Sequence, residues 1–197
     1  MTPNNVRVAS RYLKAKTYNR IAMYDFDGTL FRSWEKTPEW WPDQRPFSFF
    51  VRPESLDEPC VPDHPGSKYW VNKAVGAAQD DTRDRGTFSV LITGRVGVHK
   101  ERVAELLAQK GIHFNKMYFN PGMSASKFKT IVLGQLLAGY NTVDEVAIWE
   151  NENQSHYAQY LAKASQVLGR EVNVVVHNIH EPAVPLACGP EDFQPAP

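Results

Sequence analysis

Five short runs of apolar residues punctuate the chain: Arg20–Tyr24, Thr87–Ile92, Lys116–Phe119, Val146–Trp149 and Val172–Val176. Within each run the apolar residues are nearly continuous rather than alternating with polar ones. That pattern predicts strands buried on both faces. Between the runs the apolar spacing changes to three and four. Val103, Leu106 and Leu107 form one stripe, which stops near Gly111. Phe128, Ile131, Val132 and Leu136 form a second, behind candidate caps at Ser124 and Ser126. Tyr157, Tyr160, Leu161, Ala164 and Leu168 form a third, closed by Gly169. These stripes predict amphipathic helices with ordinary start and stop signals. Strands alternating with helices require crossover connections, and therefore a largely parallel sheet.

Ligands of such sheets gather at the carboxyl ends of the strands. The polar clusters Asp25–Thr29, Thr93–Arg95 and Glu150–Asn151 all follow predicted strands. The fold class expected is α/β: a Rossmann-like parallel sheet flanked by helices.

Residues 31–70 interrupt the alternation. They hold half of the chain's 14 prolines, together with Trp34, Trp40, Trp41 and Trp70. A loop of this length in a compact domain is functional or disordered, and its aromatic content argues against disorder. The segment reads as a small Pro/Trp-rich insert, a cap over the site. Its tryptophans serve either to stack on a substrate ring or to hold the insert together, and the general burial of aromatics favours the second. The expected organisation is a basic segment over 1–19, one domain over 20–180, and a Pro-rich tail over 181–197.

Composition excludes several classes. The apolar fraction of 42% and charged fraction of 22% are those of an ordinary globular domain, and 197 residues can bury a core without a metal or disulfide framework. No apolar run is long enough to span a membrane, and no signal-peptide core opens the chain. The formal net charge of zero gives no sign of a general nucleic-acid binder. The only local asymmetry is Arg7, Arg11, Lys14, Lys16 and Arg20, with no acid among the first twenty residues. It reads as a solvated arm or as a contact for a polyanion. Cys60 and Cys188 lie far apart without metal-ligand spacing. They read as free thiols, which sets a reducing, cytoplasmic compartment as the expectation.

The chemistry concentrates in Tyr24-Asp25-Phe26-Asp27-Gly28-Thr29. Two carboxylates two apart at the end of a buried strand form an acidic platform. A carboxylate can attack phosphorus and form an aspartyl-phosphate. It needs a cation to mask the repulsion between its charge and the phosphate, and oxygen ligands suit Mg²⁺. The second carboxylate can protonate the leaving oxygen and then accept a proton from water. A calcium-binding loop starting at Asp25 fails, because its sixth and twelfth positions are Leu30 and Lys36 instead of Gly and Glu. A plain Asp-Gly turn is the competing interpretation.

An apolar strand followed by Asp-x-Asp-x-Thr resembles the first motif of the haloacid dehalogenase superfamily. The resemblance implies Asp25 as nucleophile, Asp27 as acid/base and Thr29 as its orienter. It continues through Val90-Leu91-Ile92-Thr93, whose Thr93 would bind a phosphate oxygen. Next comes a lysine near a helix start, for which Lys127 and Lys129 both stand, and then an acidic pair after a later strand, met in part by Glu150-Asn151. The pieces Asp25–Phe31, Leu91–Arg95, Phe128–Leu137 and Ile148–His156 resemble more narrowly the haloacid-dehalogenase domain of the Swiss Army Knife RNA repair proteins. In that alignment Lys129 takes the lysine role. Relatives carry Glu-Asp-Arg where this chain has Glu150-Asn151-Glu152, a departure that bears on metal affinity.

The resemblance implies Mg²⁺-dependent hydrolysis of a phosphate monoester, with RNA ends as substrate and any ligase or kinase on a separate polypeptide. Asp25, Asp27, Thr93 and Lys129 are the expected catalytic residues. Thr29, Gly94, Arg95 and Lys127 are expected at the substrate, and Asp25, Asp27, Glu150 and Asn151 at the metal. A small-metabolite or nucleotide phosphatase is one alternative. A non-catalytic phosphate-binding module on the same fold is another.

Overall fold

The computed structural model describes residues 17–34, 37–45, 47–151, 155–185 and 187–193, apart from the side chains of Ser155, His156, Ala158 and Phe193. The basic residues Arg7, Arg11, Lys14 and Lys16 lie outside the described residues, as do Glu152 and the side chain of His156.

Five parallel strands form one sheet in the order β3-β2-β1-β4-β5. They are β1 (Arg20–Tyr24), β2 (Thr87–Val96), β3 (Lys116–Asn120), β4 (Glu145–Glu150) and β5 (Asn173–Asn178). Four helices join them: α1 (Asn72–Arg83), α2 (Lys100–Ala108), α3 (Ala125–Gly139) and α4 (Ser155–Leu168). Side chains alternate across a strand, and β1 divides the core accordingly. Ile21 and Met23 pack with Phe128, Val132, Leu136 and Leu161 of α3 and α4. Ala22 and Tyr24 pack on the other face with Ala74, Ala78, Val103 and Leu106 of α1 and α2. The α/β architecture expected from the apolar pattern is therefore present, with helices on both faces.

The chain builds outward from β1 through β2 to β3, then returns to lay β4 on the other side of β1. The strand order thus reverses between β1 and β4, which is where open parallel sheets place their ligands. Two details differ from the apolar pattern. β2 continues to Val96, with its register broken between Thr93 and Val96, so the Thr93-Gly94-Arg95 corner is part of a kinked strand end. Helix α1 has no counterpart among the predicted stripes. Its buried face is only Ala74, Val75 and Ala78, and small residues leave a weak periodic signal in an otherwise polar segment.

The insert leaves and re-enters the domain at one point. Phe31 and Trp70 form an isolated antiparallel bridge, and their rings meet edge to face at 5.1 Å. The ends of the excursion are thus tied together, and β1 and α1 are undisturbed by its length. Inside the insert are short 3-10 turns at Phe49–Val51, Pro53–Ser55 and Ser67–Tyr69. Trp41 and Phe49 are buried together with Cys60 and Cys188. A row of donors following β2 holds the insert mainly by its carbonyls. His99 meets Phe50 O at 2.8 Å, Arg102 donates to Leu56 O and Pro62 O, and Gln109 donates to Asp63 O. A carbonyl can only accept, so His99 carries its proton on Nε2. Its buried Nδ1 has no partner among the described residues.

The expectation of two free thiols is overturned, because Cys60 and Cys188 form a disulfide. A sequence separation of 128 residues hides the pairing; it exists because the C-terminal segment runs back over the insert. Ala187 donates to the Cys60 carbonyl and Val184 to that of Arg32. The argument from free thiols to a reducing compartment falls with it. No helix among the described residues is long and apolar enough to cross a membrane.

Two measurements follow from this packing. Alkylation of the chain unfolded without reductant should label neither cysteine, and both after reduction. The second concerns His99. Burial first, and then the neighbouring Arg95 charge, lower its pKa to about 4, against the Phe50 hydrogen bond and the charges of Asp27 and Glu54. The unfolded chain therefore takes up a proton near pH 6.5 that the folded chain refuses until about pH 4. This contribution to stability is complete above pH 6.5 and declines as pH falls toward 4, by about 3 kcal/mol at most. His99→Gln, which keeps a donor for Phe50, should flatten that limb in urea titrations between pH 7 and 4.

Candidate active site

The site lies at the carboxyl ends of β1, β2 and β4. Asp25 directly follows β1, and its N–H donates to Trp149 O at 3.0 Å, which fixes the residue at the switch point. The following loop closes tightly. Phe26 O accepts from Leu30 and Phe31, and Gly28 N donates to Phe31 O. Gly28 has φ +69°, in the left-handed region that side chains with a Cβ seldom enter. A Cβ there would also collide with the amide of Asn151. Glycine is therefore required twice over, by its backbone conformation and by the close approach of β4's end.

Three charged groups meet in the interior. Lys129 Nζ, on the first turns of α3, lies 3.0 Å from Asp25 Oδ2 and 2.6 Å from Glu150 Oε2. Asp25 is 5% exposed, Lys129 3% and Glu150 0%. Burial alone would lower the Lys129 pKa, but the two carboxylates outweigh it and hold the ammonium charged. Burial first, and then the Asp25 charge, raise Glu150 well above the usual carboxylate range, with Lys129 opposing. Lys127 is exposed. Of the two candidate lysines, the helix turns only Lys129 toward Asp25.

The second carboxylate is held differently. Arg95 reaches Asp27 through two guanidinium nitrogens, at 2.9 and 3.0 Å from Nε and 2.7 Å from Nη2. Arg95 is buried and Asp27 partly open. The guanidinium expected at the substrate is thus engaged with Asp27. Thr93 is fully buried, and its Oγ accepts from Arg95 N at 3.1 Å, which leaves its own O–H able to donate elsewhere. At Gly94 an added Cβ would sit 3.2 Å from Ala125 Cβ. The missing side chain lets the start of α3 approach the end of β2.

The oxygen donors suit a hard cation. Asp25 Oδ1 and the Thr29 hydroxyl are buried and have no hydrogen-bond partner among the described residues. Buried polar atoms ordinarily have one. No group of three or more His, Cys, Asp or Glu converges as a ready-made metal cage among the described residues. Mg²⁺ does not require one, since it binds through one or two carboxylates and keeps several waters. Glu150 is committed inward, with Oε2 on Lys129 and Oε1 accepting from Asn151 N at 3.3 Å. Glu150 also interacts with the Asp25 side chain, while the Asn151 side chain lies against Gly28.

The sequence pattern gave no sign of the groups behind Arg95. Ser55 accepts from its Nη1 at 2.6 Å, and the Phe50 ring lies 5.5 Å from its guanidinium carbon. Both come from the irregular insert, where no periodicity ranks one residue over another.

Residues 29–186 match the family described as HAD domain family 1 in Swiss Army Knife RNA repair proteins, and the chain belongs to that family. The match begins just after Asp25 and Asp27, so these two rest on the motif and the geometry above. No curated protein sequence matches the chain. A chain in a solved structure titled "Structure of the Pnkp1/Rnl/Hen1 RNA repair complex" is similar over 85% of this chain and 48% of its own length, at 14% identity and a TM-score of 0.48. This chain therefore spans about half of that one.

The buried triad generates a prediction about stability. Removing Lys129 leaves two buried carboxylates without their cation, a defect that typically costs about 3–5 kcal/mol. Lys127→Ala changes an exposed residue and should stay within about 0.5 kcal/mol of wild type. Urea unfolding of Lys129→Ala and Lys127→Ala measures the difference. Equal stabilities would show that the lysine contact is absent in solution.

Proposed function

We propose that this member of the Swiss Army Knife HAD family hydrolyses phosphate monoesters with Asp25 as nucleophile, and that RNA ends are its substrate. The single observation that carries the reading is Asp25 at the switch point, with Lys129 on one carboxylate oxygen and the other oxygen without a partner among the described residues.

An Asp25 oxygen attacks phosphorus, and the bond from phosphorus to the ester oxygen breaks. Asp27 supplies the proton that the departing oxygen takes up. Water then attacks the aspartyl-phosphate, Asp27 takes back a proton, and inorganic phosphate leaves with Asp25 regenerated. Lys129 and the Thr93 hydroxyl offset charge on the phosphoryl oxygens, so that most of the rate comes from positioning and electrostatics. Mg²⁺, when bound, masks the repulsion between carboxylate and phosphate. Asp25 Oδ1, the Asp27 carbonyl and Asn151 are the oxygens that would hold it, with Glu150 behind them on Lys129.

Support for the RNA-end substrate is the family description alone. Free nucleotides and other small phosphate esters are the competing substrates. A panel decides between them: faster turnover of 3′-phosphorylated oligonucleotides than of free nucleotides favours RNA ends. Asp25→Asn should abolish turnover in the presence of Mg²⁺ while leaving the circular dichroism spectrum unchanged. Activity near wild type in that variant overturns the mechanism. Asn151→Asp should lower the Mg²⁺ concentration needed for half activity, because it returns a charge beside the cation. Glu150→Gln should raise it. An unchanged Mg²⁺ dependence in both would displace the metal from this pair.

A further inference from the structure

Asp27 is partly open to solvent, but its support lies in the insert. The buried Arg95 guanidinium presents one edge, Nε and Nη2, to the Asp27 carboxylate. Its remaining nitrogen, Nη1, is tied to Ser55 Oγ at 2.6 Å. Ser55 is 2% exposed, and its own hydroxyl proton goes to Arg52 O at 2.8 Å, so both hydrogen-bonding roles of the hydroxyl are filled. The Phe50 ring packs 5.5 Å from the guanidinium carbon. From the other side, Arg95 N is fixed on Thr93 Oγ. That backbone bond anchors the residue, while the guanidinium itself is held at three places, by Asp27, Ser55 and Phe50, the last two belonging to the insert. The insert in turn is held by His99, Arg102 and Gln109.

A planar guanidinium fork transmits orientation, because its nitrogens cannot move independently. Freed at Nη1, it can swing about its side-chain torsions and carry the Asp27 carboxylate with it. Proton transfer depends steeply on the placement of the donor oxygen.

We propose that Ser55, with Phe50 behind it, is a positioning residue for proton transfer. The insert sets the aim of Asp27 through Arg95, and a seated insert is a condition of full activity. The proposal rests on the role given to Asp27 in the proposed function. It goes beyond that role in assigning a catalytic duty to the insert.

The consequence is selective. An ester with a poor leaving group needs a proton on the departing oxygen, whereas p-nitrophenolate leaves without one. Loss of aim should therefore slow the first and spare the second. kcat/KM is the parameter to compare, since it excludes hydrolysis of the aspartyl-phosphate. For Ser55→Ala, kcat/KM should fall roughly tenfold or more further on a ribonucleoside 3′-monophosphate than on p-nitrophenyl phosphate, a fraction of what general acid catalysis contributes. Phe50→Leu should show the same split, and it carries the test if Ser55→Ala does not fold. Ser55→Thr, which keeps the hydroxyl, should restore the wild-type ratio. Asp27→Asn is the reference and should show the largest split. Equal losses on both esters in Ser55→Ala and Phe50→Leu, beside an unequal loss in Asp27→Asn, overturn the insert's role alone. Equal losses in Asp27→Asn as well overturn the acid role of Asp27 and the proposal together.

Discussion

The buried ammonium of Lys129 is the interaction on which the site depends. Asp25 and Glu150 are carboxylates from adjacent strand ends, and both are almost wholly withdrawn from water. Two such charges side by side in a low-dielectric interior would repel strongly. One cation 3.0 Å from the first and 2.6 Å from the second makes the arrangement tenable. It also leaves one Asp25 oxygen without a partner among the described residues, which is what a nucleophile or a cation ligand requires. The desolvation that makes the cluster costly also keeps its charges strong.

Strand order brings these groups together. A sheet built β1, β2, β3 in simple sequence would place β4 beyond β3, far from Asp25. The return of the chain to the other side of β1 makes β1 and β4 neighbours, with Tyr24 opposite Trp149. Asp25 and Glu150 follow in register. Helix α3, packed across the same face through Phe128 and Val132, then lowers Lys129 between them.

The insert adds a second layer of contacts around the site. Its interior packs as a small aromatic and disulfide-linked cluster, and Leu56, Val61, Tyr69 and Trp70 bury it in the main core, while polar contacts from the segment after β2 fix its placement. Such contacts specify position more than they add stability, since each exchanges hydrogen bonds to water for hydrogen bonds to protein. They bring Ser55 and Phe50 behind Arg95, and so connect the insert to Asp27.

Much of the molecule was legible in the sequence, for reasons that are local. Continuous apolar runs marked the five strands: β1, β2 and β4 are buried almost throughout, whereas the edge strands β3 and β5 are only half-buried. Apolar spacing of three and four fixed α2, α3 and α4. The Asp25-Phe26-Asp27-Gly28-Thr29 turn announced itself because its chemistry and its backbone conformation both lie within a few residues. Lys129 could be preferred over Lys127 by alignment, and helical geometry explains the preference: residues two apart point in different directions. What the sequence left open was non-local. The Cys60–Cys188 bond joins segments 128 residues apart, and only the path of the C-terminal segment over the insert brings them together. Helix α1 buries alanines that carry little periodic signal. Arg95 could be read as a substrate contact because its partner depends on how the β2 corner faces the first loop. The inward turn of Glu150 and the approach of Asn151 to Gly28 were likewise decided by packing, where a buried charge goes to the nearest opposite charge that the folded backbone supplies.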